Sequence, residues 1–211
     1  MDIRSFETLP STQSYLEEAL RTQRLSPPIA VVTHQQTAGI GSRDNQWEGG
    51  EGNLFVSFAL DLESLTEDLP LSSASIYFSY IMKEVLLQYT EDVWLKWPND
   101  LYYFEHKIGG TITKKIENIL LCGMGINLQK NANAYASLTL NVEKELLLNQ
   151  YFQRLLQRPS WKQVFSKYAI EFERSKTMFT HISGEYRSLD DAVLREDGSL
   201  IIDDKRVYSL R

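Results

Sequence analysis

The sequence predicts an α+β protein: a mixed or antiparallel sheet with flanking helices, followed by a small β module at the C-terminus. Three observations carry this. Four short apolar runs, "VWLKW", "LYYF", "KIGGTITKK" and "IENILLCGMGINL", follow one another between Val93 and Leu128. Their polar connections are short, as an antiparallel meander requires. Four stretches elsewhere place apolar residues at helical spacing. After residue 178 the chain alternates apolar and polar residues around the turn signal Asp197-Gly198.

Taken in order, "LPSTQSYLEEALRTQRLSPP" predicts a first helix between Pro10 and the stop at Pro27 and Pro28, with Ser14 and Glu17 in a capping-box pattern. "IAVVTHQQTAGIGSRDNQWEGGEG" reads as a β-branched strand running into a glycine-containing polar loop, and "NLFVSFALDL" as the strand that leaves it. "SSASIYFSYIMKEVLLQYT" predicts a core-packed helix. "NVEKELLLNQYFQRLLQR" and "SWKQVFSKYAIEFERSK" predict two more, divided by Pro159 and Ser160. The tail predicts a hairpin plus a last strand.

At 211 residues the chain suits one main unit, to about residue 178, with an abbreviated β module over 179–211. A hydrophobic content of 43% and a charged content of 24% are those of a soluble globular protein. No apolar run approaches the roughly 18 residues of a membrane span. The opening "MDIRSFETLPSTQ" lacks a basic region followed by an apolar one, so a cytoplasmic protein with no membrane partner is expected. The net charge of −6 argues against nucleic-acid binding, and an anionic substrate must therefore meet a local positive patch. The single cysteine, Cys122 in "ILLCGMG", excludes a disulfide framework and reads as an inert core thiol. His34, His106 and His181 stand far apart, without the spacing of metal ligands, and no dedicated metal site is expected.

The stretch "KWPNDLYYFEHKIGG" concentrates the chemistry. Gly109 and Gly110 fall in one predicted strand and Gly123 and Gly125 in the next, where each glycine forgoes about 0.5–1 kcal/mol relative to alanine. Bulges or tight packing against a helix explain such residues. So does a flat ligand lying against the sheet backbone. Lys107 opens the glycine strand, where its ammonium projects over the same surface, while Asn99 and Asp100 follow Pro98, at which an interior strand must turn. Each residue alone reads equally well as a turn or a solvated charge; their clustering favours a site. In "GIGSRDNQW", Gly39 and Gly41 resemble the start of a dinucleotide fingerprint, but Asp44 occupies the third glycine position and the next element reads as a strand, which argues against a Rossmann site. No P-loop motif occurs. The loop can still offer backbone N–H groups and the Arg43 guanidinium to an anion, with Ser42 beside it, and Trp47 at its far end predicts a lid.

These residues resemble the biotin protein ligases. "KWPNDLYYFEHKIGG" is similar to that family's Lys-Trp-Pro-Asn-Asp motif with its downstream lysine and glycine, and "GMGIN" to its Gly-x-Gly-Ile-Asn strand. "PSTQ" resembles the Ser-Thr-Asn start, and "QTAGIGSRDNQW" the Gln-Thr-Ala-Gly-Arg-Gly-Arg loop that ends in tryptophan. The motifs run in family order from Ser11 to Asn127, with a weaker echo in "VYSLR". The resemblance implies a class II synthetase-like catalytic domain over 1–178 with an SH3-like β module, and an ATP-dependent ligase of the monofunctional type. Such an enzyme makes biotinyl-AMP and passes biotin to a lysine of a biotin carboxyl carrier domain, usually that of acetyl-CoA carboxylase.

Residue by residue, the resemblance implies that Ser11, Thr12 and Gln13 hold the ureido end of biotin, with Gln36 on the same ligand and Gly39, Gly41 and Ser42 in the loop around it. Gly109 and Gly110 are the surface beneath. Lys107 lies between the biotin carboxylate and the ATP α-phosphate, and Arg43 adds a second charge. Asn99, Asp100 and Asn127 form the nucleotide side, over which Trp47 closes. ATP and biotin are the expected substrates, with Mg²⁺ accompanying ATP, and a homodimer is compatible with the family.

Where the family loop has Arg-Gly-Arg, this chain has Ile40, Gly41 and Ser42, and further on Asp44 and Asn45, which leaves Arg43 as the loop's arginine. Weaker retention of the adenylate is the expectation. Lys114 stands where relatives commonly place an acid. Only ten residues precede Ser11, where repressor members carry a winged helix-turn-helix domain, so DNA binding is not expected. A lipoate protein ligase would show an Arg-Arg-x-Ser-Gly-Gly-Gly loop, absent here. A non-catalytic biotin sensor would not need Lys107.

Overall fold

The meander is the half of the sheet that the sequence displays most directly, because each of its strands is a short apolar run closed by a turn. A computed structural model describes residues 1–41, 46–47, 52–129, 137–138, 140, 142–182 and 184–209. In chain order the elements are strand β1 (Asp2–Leu9), helix α1 (Thr12–Arg21), β2 (Ile29–Gln36), β3 (Gly39–Ile40), β4 (Gln46–Trp47) and β5 (Leu54–Asp61). Helix α2 (Ala74–Leu86) precedes the meander β6 (Val93–Lys96), β7 (Asp100–Tyr103), β8 (His106–Ile116) and β9 (Ile119–Ile126). Helices α3 (Lys144–Leu156) and α4 (Trp161–Glu171) follow, then the short strands β10 (Phe179–Ile182), β11 (Glu185–Ser188), β12 (Val193–Leu194), β13 (Leu200–Ile202) and β14 (Lys205–Val207).

Seven strands join in the order β1-β2-β5-β9-β8-β7-β6. Only the β1-β2 pair is parallel; the remaining neighbours are antiparallel, so the sheet is mixed as expected. One face carries Ala30, Val32, Val56, Phe58, Leu120, Cys122 and Met124, packed beneath α2 and α3 in a single apolar cluster. On the opposite face Ile29, Val31, Ala59 and Leu121 pack against Leu16 and Leu20 of α1. That helix covers only part of its face. Further along the same face the side chains shrink to Ser57, Gly123, Gly125 and Gly110, which the register sets side by side on β5, β9 and β8. The uncovered area is the floor of a cleft.

Two details differ from the sequence reading. The edge strand β1 was not anticipated, because only Leu9 of its eight residues is buried and no alternation betrays it. Helix α1 starts earlier than the Ser14–Glu17 pattern implies: Ser11 is the N-cap, and its hydroxyl accepts the N–H of Ser14 at 3.3 Å. Glu17 instead binds Arg21 at 2.9 Å and Lys114 at 2.7 Å. Helix α4 does carry a full capping box, between Ser160 and Gln163.

The tail forms a two-stranded ladder, β10-β11, and a three-stranded one, β12-β13-β14, with Asp197 and Gly198 in the turn between β12 and β13. It is anchored to the body. Leu189, Ala192 and Leu200 join the main cluster, and the Trp97 indole N–H donates to the Gly198 carbonyl at 2.9 Å. Cys122 is buried, and burial pushes its thiol well above the usual range, in keeping with an inert core residue. Among the described residues no helix is long and apolar enough to cross a membrane.

Candidate active site

The cleft has a volume of about 420 Å³ and is lined by residues from the four motif segments between Ser11 and Asn127; the terminal "VYSLR" contributes none of the described lining. The start of α1 supplies Ser11, Thr12 and Gln13. β2 supplies Gln36, Gly41 follows β3, β4 supplies Trp47, and the meander supplies Asn99, Asp100, Lys107, Gly109 and Gly110, with Asn127 just after β9. These residues are far apart in the chain and meet because the sheet order places β9 between β5 and β8. Gly39 stands behind the cleft: it pairs with Trp47 across β3 and β4, and a methyl group there would lie 2.6 Å from the Trp47 carbonyl oxygen. Ser42, Arg43, Asp44 and Asn45 lie outside the described residues.

The glycines do different jobs. At Gly125 a side chain would meet the Trp47 indole at 2.5 Å, so this glycine lets the ring lie on the strand. The indole Nε1 is buried and has no hydrogen-bond partner among the described residues. At Gly123 the Gln13 carboxamide oxygen occupies the space a Cβ would need. Gly109 faces the other way, and its Cβ would come 2.8 Å from the Gly125 carbonyl oxygen. Gly110 is the open one, with nothing closer to its Cβ position than Asn99 O and Asp100 Oδ1, both at 3.5 Å. A β-bulge between Leu101 and Tyr102 lies just before this point and turns Lys107 out of the ladder's regular alternation.

The charged end is built on that bulge. Lys107 Nζ lies 2.6 Å from Asp100 Oδ1, and Lys96 Nζ stands 3.9 Å from Asp100 Oδ2. Lys107 is about half exposed, while Asp100 and Lys96 are mostly covered. The acid therefore holds the half-exposed Lys107 ammonium beside the cleft. Among the described residues two lysine ammoniums stand beside this carboxylate, at the end of the cleft where an anionic substrate would meet them. Asn99 secures the turn beneath: its Nδ2 donates to the Thr111 carbonyl at 2.6 Å and its own carbonyl accepts from Thr111 N at 3.1 Å. Asn127 N donates to the Ile108 carbonyl at 2.7 Å, which locks the end of β9 to the bulge.

The uncharged end is a hydrogen-bonded cluster. Gln36 Oε1 accepts from the Thr12 N–H at 2.8 Å, and Thr12 Oγ1 lies 2.9 Å from Ser57 Oγ, which reaches Gln13 Oε1 at 3.1 Å. Ser57 had not been singled out, nor had the apolar wall of Ile108 and Ile112. The signal for the serine was present, since it is the one hydroxyl in the apolar run "LFVSFAL", and a buried hydroxyl must find a partner. Lys114 is remote from this set and paired with Glu17.

Among the described residues no three His, Cys, Asp or Glu side chains gather to hold a metal ion. Asp100 is the one acid among the described lining residues and is already engaged by lysines. That donor set does not fit an ion held by the protein alone.

Residues 5–131 match the model of the biotin/lipoate A/B protein ligase family. The chain is 32% identical over 127 residues to the bifunctional ligase/repressor BirA of Salmonella typhimurium, a match covering 57% of this chain and 38% of that protein. It is 36% identical over 107 residues to biotin–protein ligase 2 of Arabidopsis thaliana, covering 46% and 32%. These matches thus span less than half the length of either relative. Among solved structures, the biotin acetyl coenzyme A carboxylase synthetase of Helicobacter pylori with bound biotinylated ATP superposes with a TM-score of 0.92 at 38% identity, covering 98% of this chain and 99% of that one. The biotin protein ligase of Aquifex aeolicus in complex with biotin and ATP is similar in fold, with a TM-score of 0.79 at 23% identity, covering 100% and 96%.

Proposed function

The chain belongs to the biotin/lipoate A/B protein ligase family, and from that premise we propose that it is an ATP-dependent biotin protein ligase. It makes biotinyl-5'-AMP and transfers the biotinyl group to a lysine of a biotin carboxyl carrier domain, that of acetyl-CoA carboxylase being the first candidate. The observation that carries the reading is the Lys107–Asp100 pair at 2.6 Å beside the bare strand at Gly110, facing a hydrogen-bonding cluster across one cleft. A carboxylic acid with a polar head fits such a cleft with its head on Gln13 and Gln36 and its carboxylate towards Lys107.

In the first step a biotin carboxylate oxygen attacks the α-phosphorus of ATP, the bond to the bridging oxygen breaks, and pyrophosphate leaves. Two anions must be held together while this happens. The Lys107 ammonium serves both, exchanging Asp100 for the carboxylate and phosphate as partners. Asn99, Asp100 and Asn127 form the nucleotide side, and Trp47 and Gly41 border the site, with Arg43 and Ser42 in the intervening loop. Mg²⁺ enters only as the companion of ATP's phosphates. In the second step the carrier's lysine amine attacks the acyl carbonyl, and AMP departs with the electron pair of the acyl–phosphate bond. No nucleophile from this chain is needed. The proposed division is a catalytic unit over 1–178 and a β module over 179–211, in a cytoplasmic protein.

The test is biotin-stimulated ATP–pyrophosphate exchange. The expected result is exchange with biotin and little with lipoate, reduced at least about a hundredfold in Lys107→Ala, as for loss of a charge acting at the reacting centre. Exchange driven by lipoate, or binding of biotin with no exchange, would defeat the reading.

A further inference from the structure

We propose, on the premise that the cleft takes biotin, that Ser57 is a positioning residue: it fixes the carboxamide of Gln13 so that this end of the cleft presents only donors. The site is thereby selective for a ring that carries a carbonyl oxygen.

The polarity follows atom by atom. A backbone N–H only donates, so the Gln36 atom 2.8 Å from Thr12 N is its oxygen. Thr12 Oγ1 lies 3.2 Å from that same oxygen. With the Ser57 hydrogen on Gln13, the Thr12 hydroxyl hydrogen goes to Ser57 Oγ at 2.9 Å and Gln36 Oε1 is held by the Thr12 N–H, while the Gln36 NH₂, beside Gly39 on the cleft wall, has no protein acceptor among the described residues. Ser57 is completely buried in the middle of β5, with Thr12 Oγ1 and Gln13 Oε1 as its neighbours. The Gln13 oxygen rests against the α-carbon of Gly123. With the amide reversed, one N–H would bond Ser57 and the other would be buried against that α-carbon with no acceptor, a loss that the observed orientation avoids. The Ser57 hydrogen thus goes to Gln13 Oε1, and the Gln13 NH₂ also turns to the cleft. Neither Nε2 has a protein partner among the described residues. Ser11 adds a third donor, because its oxygen accepts the Ser14 N–H and leaves the hydroxyl hydrogen available.

Three donors with one polarity demand an acceptor, which the ureido oxygen of biotin supplies and a dithiolane ring does not. The role of Ser57 can be isolated with 2-iminobiotin, whose protonated imine puts a donor where biotin has its acceptor. By calorimetry on the full chain, wild type should prefer biotin strongly. In Ser57→Ala the Gln13 amide loses its anchor and can turn, so the preference should fall about tenfold, mostly through weaker biotin binding. Ser57→Thr, which keeps the hydroxyl, should restore it. Equal weakening of both ligands in Ser57→Ala would overturn the inference while leaving the biotin reading intact, whereas a wild type that binds no biotin would overturn both. Should Ser57→Ala fail to fold, Gln13→Glu replaces the donor with an acceptor and should shift preference towards 2-iminobiotin; an unshifted ratio there also overturns the inference.

Discussion

Gly109 and Gly110 are adjacent and look equivalent in the chain, yet the register gives them opposite faces and opposite sensitivities. Gly109→Ala forces a methyl group against a main-chain oxygen 2.8 Å away and is expected to cost about 1–3 kcal/mol in denaturant unfolding. Gly110→Ala meets its neighbours at ordinary contact distance and should change stability by under about 1 kcal/mol. Its methyl group projects into the cleft beneath Lys107, so biotin affinity should fall by about tenfold or more in calorimetry. Equal behaviour of the two variants would refute the face assignment. Arg43 poses the complementary residue-scale question. On the proposed function, with Ile40 and Ser42 where the resemblance implies arginines, Arg43 is the guanidinium proposed to meet the adenylate, and Arg43→Ala should raise release of biotinyl-AMP and labelling of bystander lysines. Tight retention in that variant would remove the loop arginine from the proposal.

At the scale of elements, the motif turn depends on helices that never touch the cleft. β6 is the last strand of the sheet, so its outward N–H groups have no neighbouring strand to bind. The C-terminal end of α4 and the turn after it satisfy them. Glu171 Oε1 accepts from Leu95 N at 2.8 Å and Ser175 Oγ from Trp97 N at 3.3 Å. Glu171 also forms a buried ion pair with Lys83 of α2, whose ammonium lies 4.3 Å from the centre of the Tyr80 ring. Glu171→Ala leaves a buried ammonium and a bare N–H and is expected to destabilise by about 3–5 kcal/mol. A Lys83→Met, Glu171→Leu double variant should recover part of that loss, since it strands no charge. The check is a double-mutant cycle by chemical denaturation; additive losses would show that the pair is not coupled. Helix α4 is held at its other end by Asp68, whose carboxylate oxygens accept from Trp161 N and Lys162 N at 2.9 and 3.0 Å, an anion on a helix N-terminus.

For the whole molecule, four such carboxylates stitch separate elements together, and all titrate below their ordinary values. Lys114 holds Glu17 down chiefly through a hydrogen bond. Burial pushes Asp68, Glu84 and Asp197 upward, but hydrogen bonds outweigh it: from Lys162 and Trp161 for Asp68, from Lys167 and Arg154 for Glu84, and from Ser199 and Arg206 for Asp197. A depressed folded-state value means the stabilisation is complete above the ordinary values of 3.8 and 4.5 and is lost as the pH falls through the lower folded values. Denaturation midpoints should therefore be nearly flat from neutrality to about pH 5 and drop steeply towards about pH 3. Lys167→Ala should flatten the part due to Glu84. A midpoint that rises on acidification would contradict the assignment.

The linear chain determined the pieces: the meander, the helices, the tail hairpin and the motifs around Lys107, because each depends on local periodicity, turn chemistry or a contiguous run of unusual residues. It determined the order of the site segments but not their convergence. Only the tertiary structure decided that Ser57 stands beside Gly123 and Gln13, that Asp100 rather than solvent holds Lys107, and that Gly109 turns away while Gly110 faces the cleft. Edge strand β1 escaped detection for the same reason, since a strand with one buried residue has no pattern of its own and exists through its ladder with β2. Side-chain facing and cross-strand neighbours are properties of register, and register is set by contacts between segments that lie far apart in sequence.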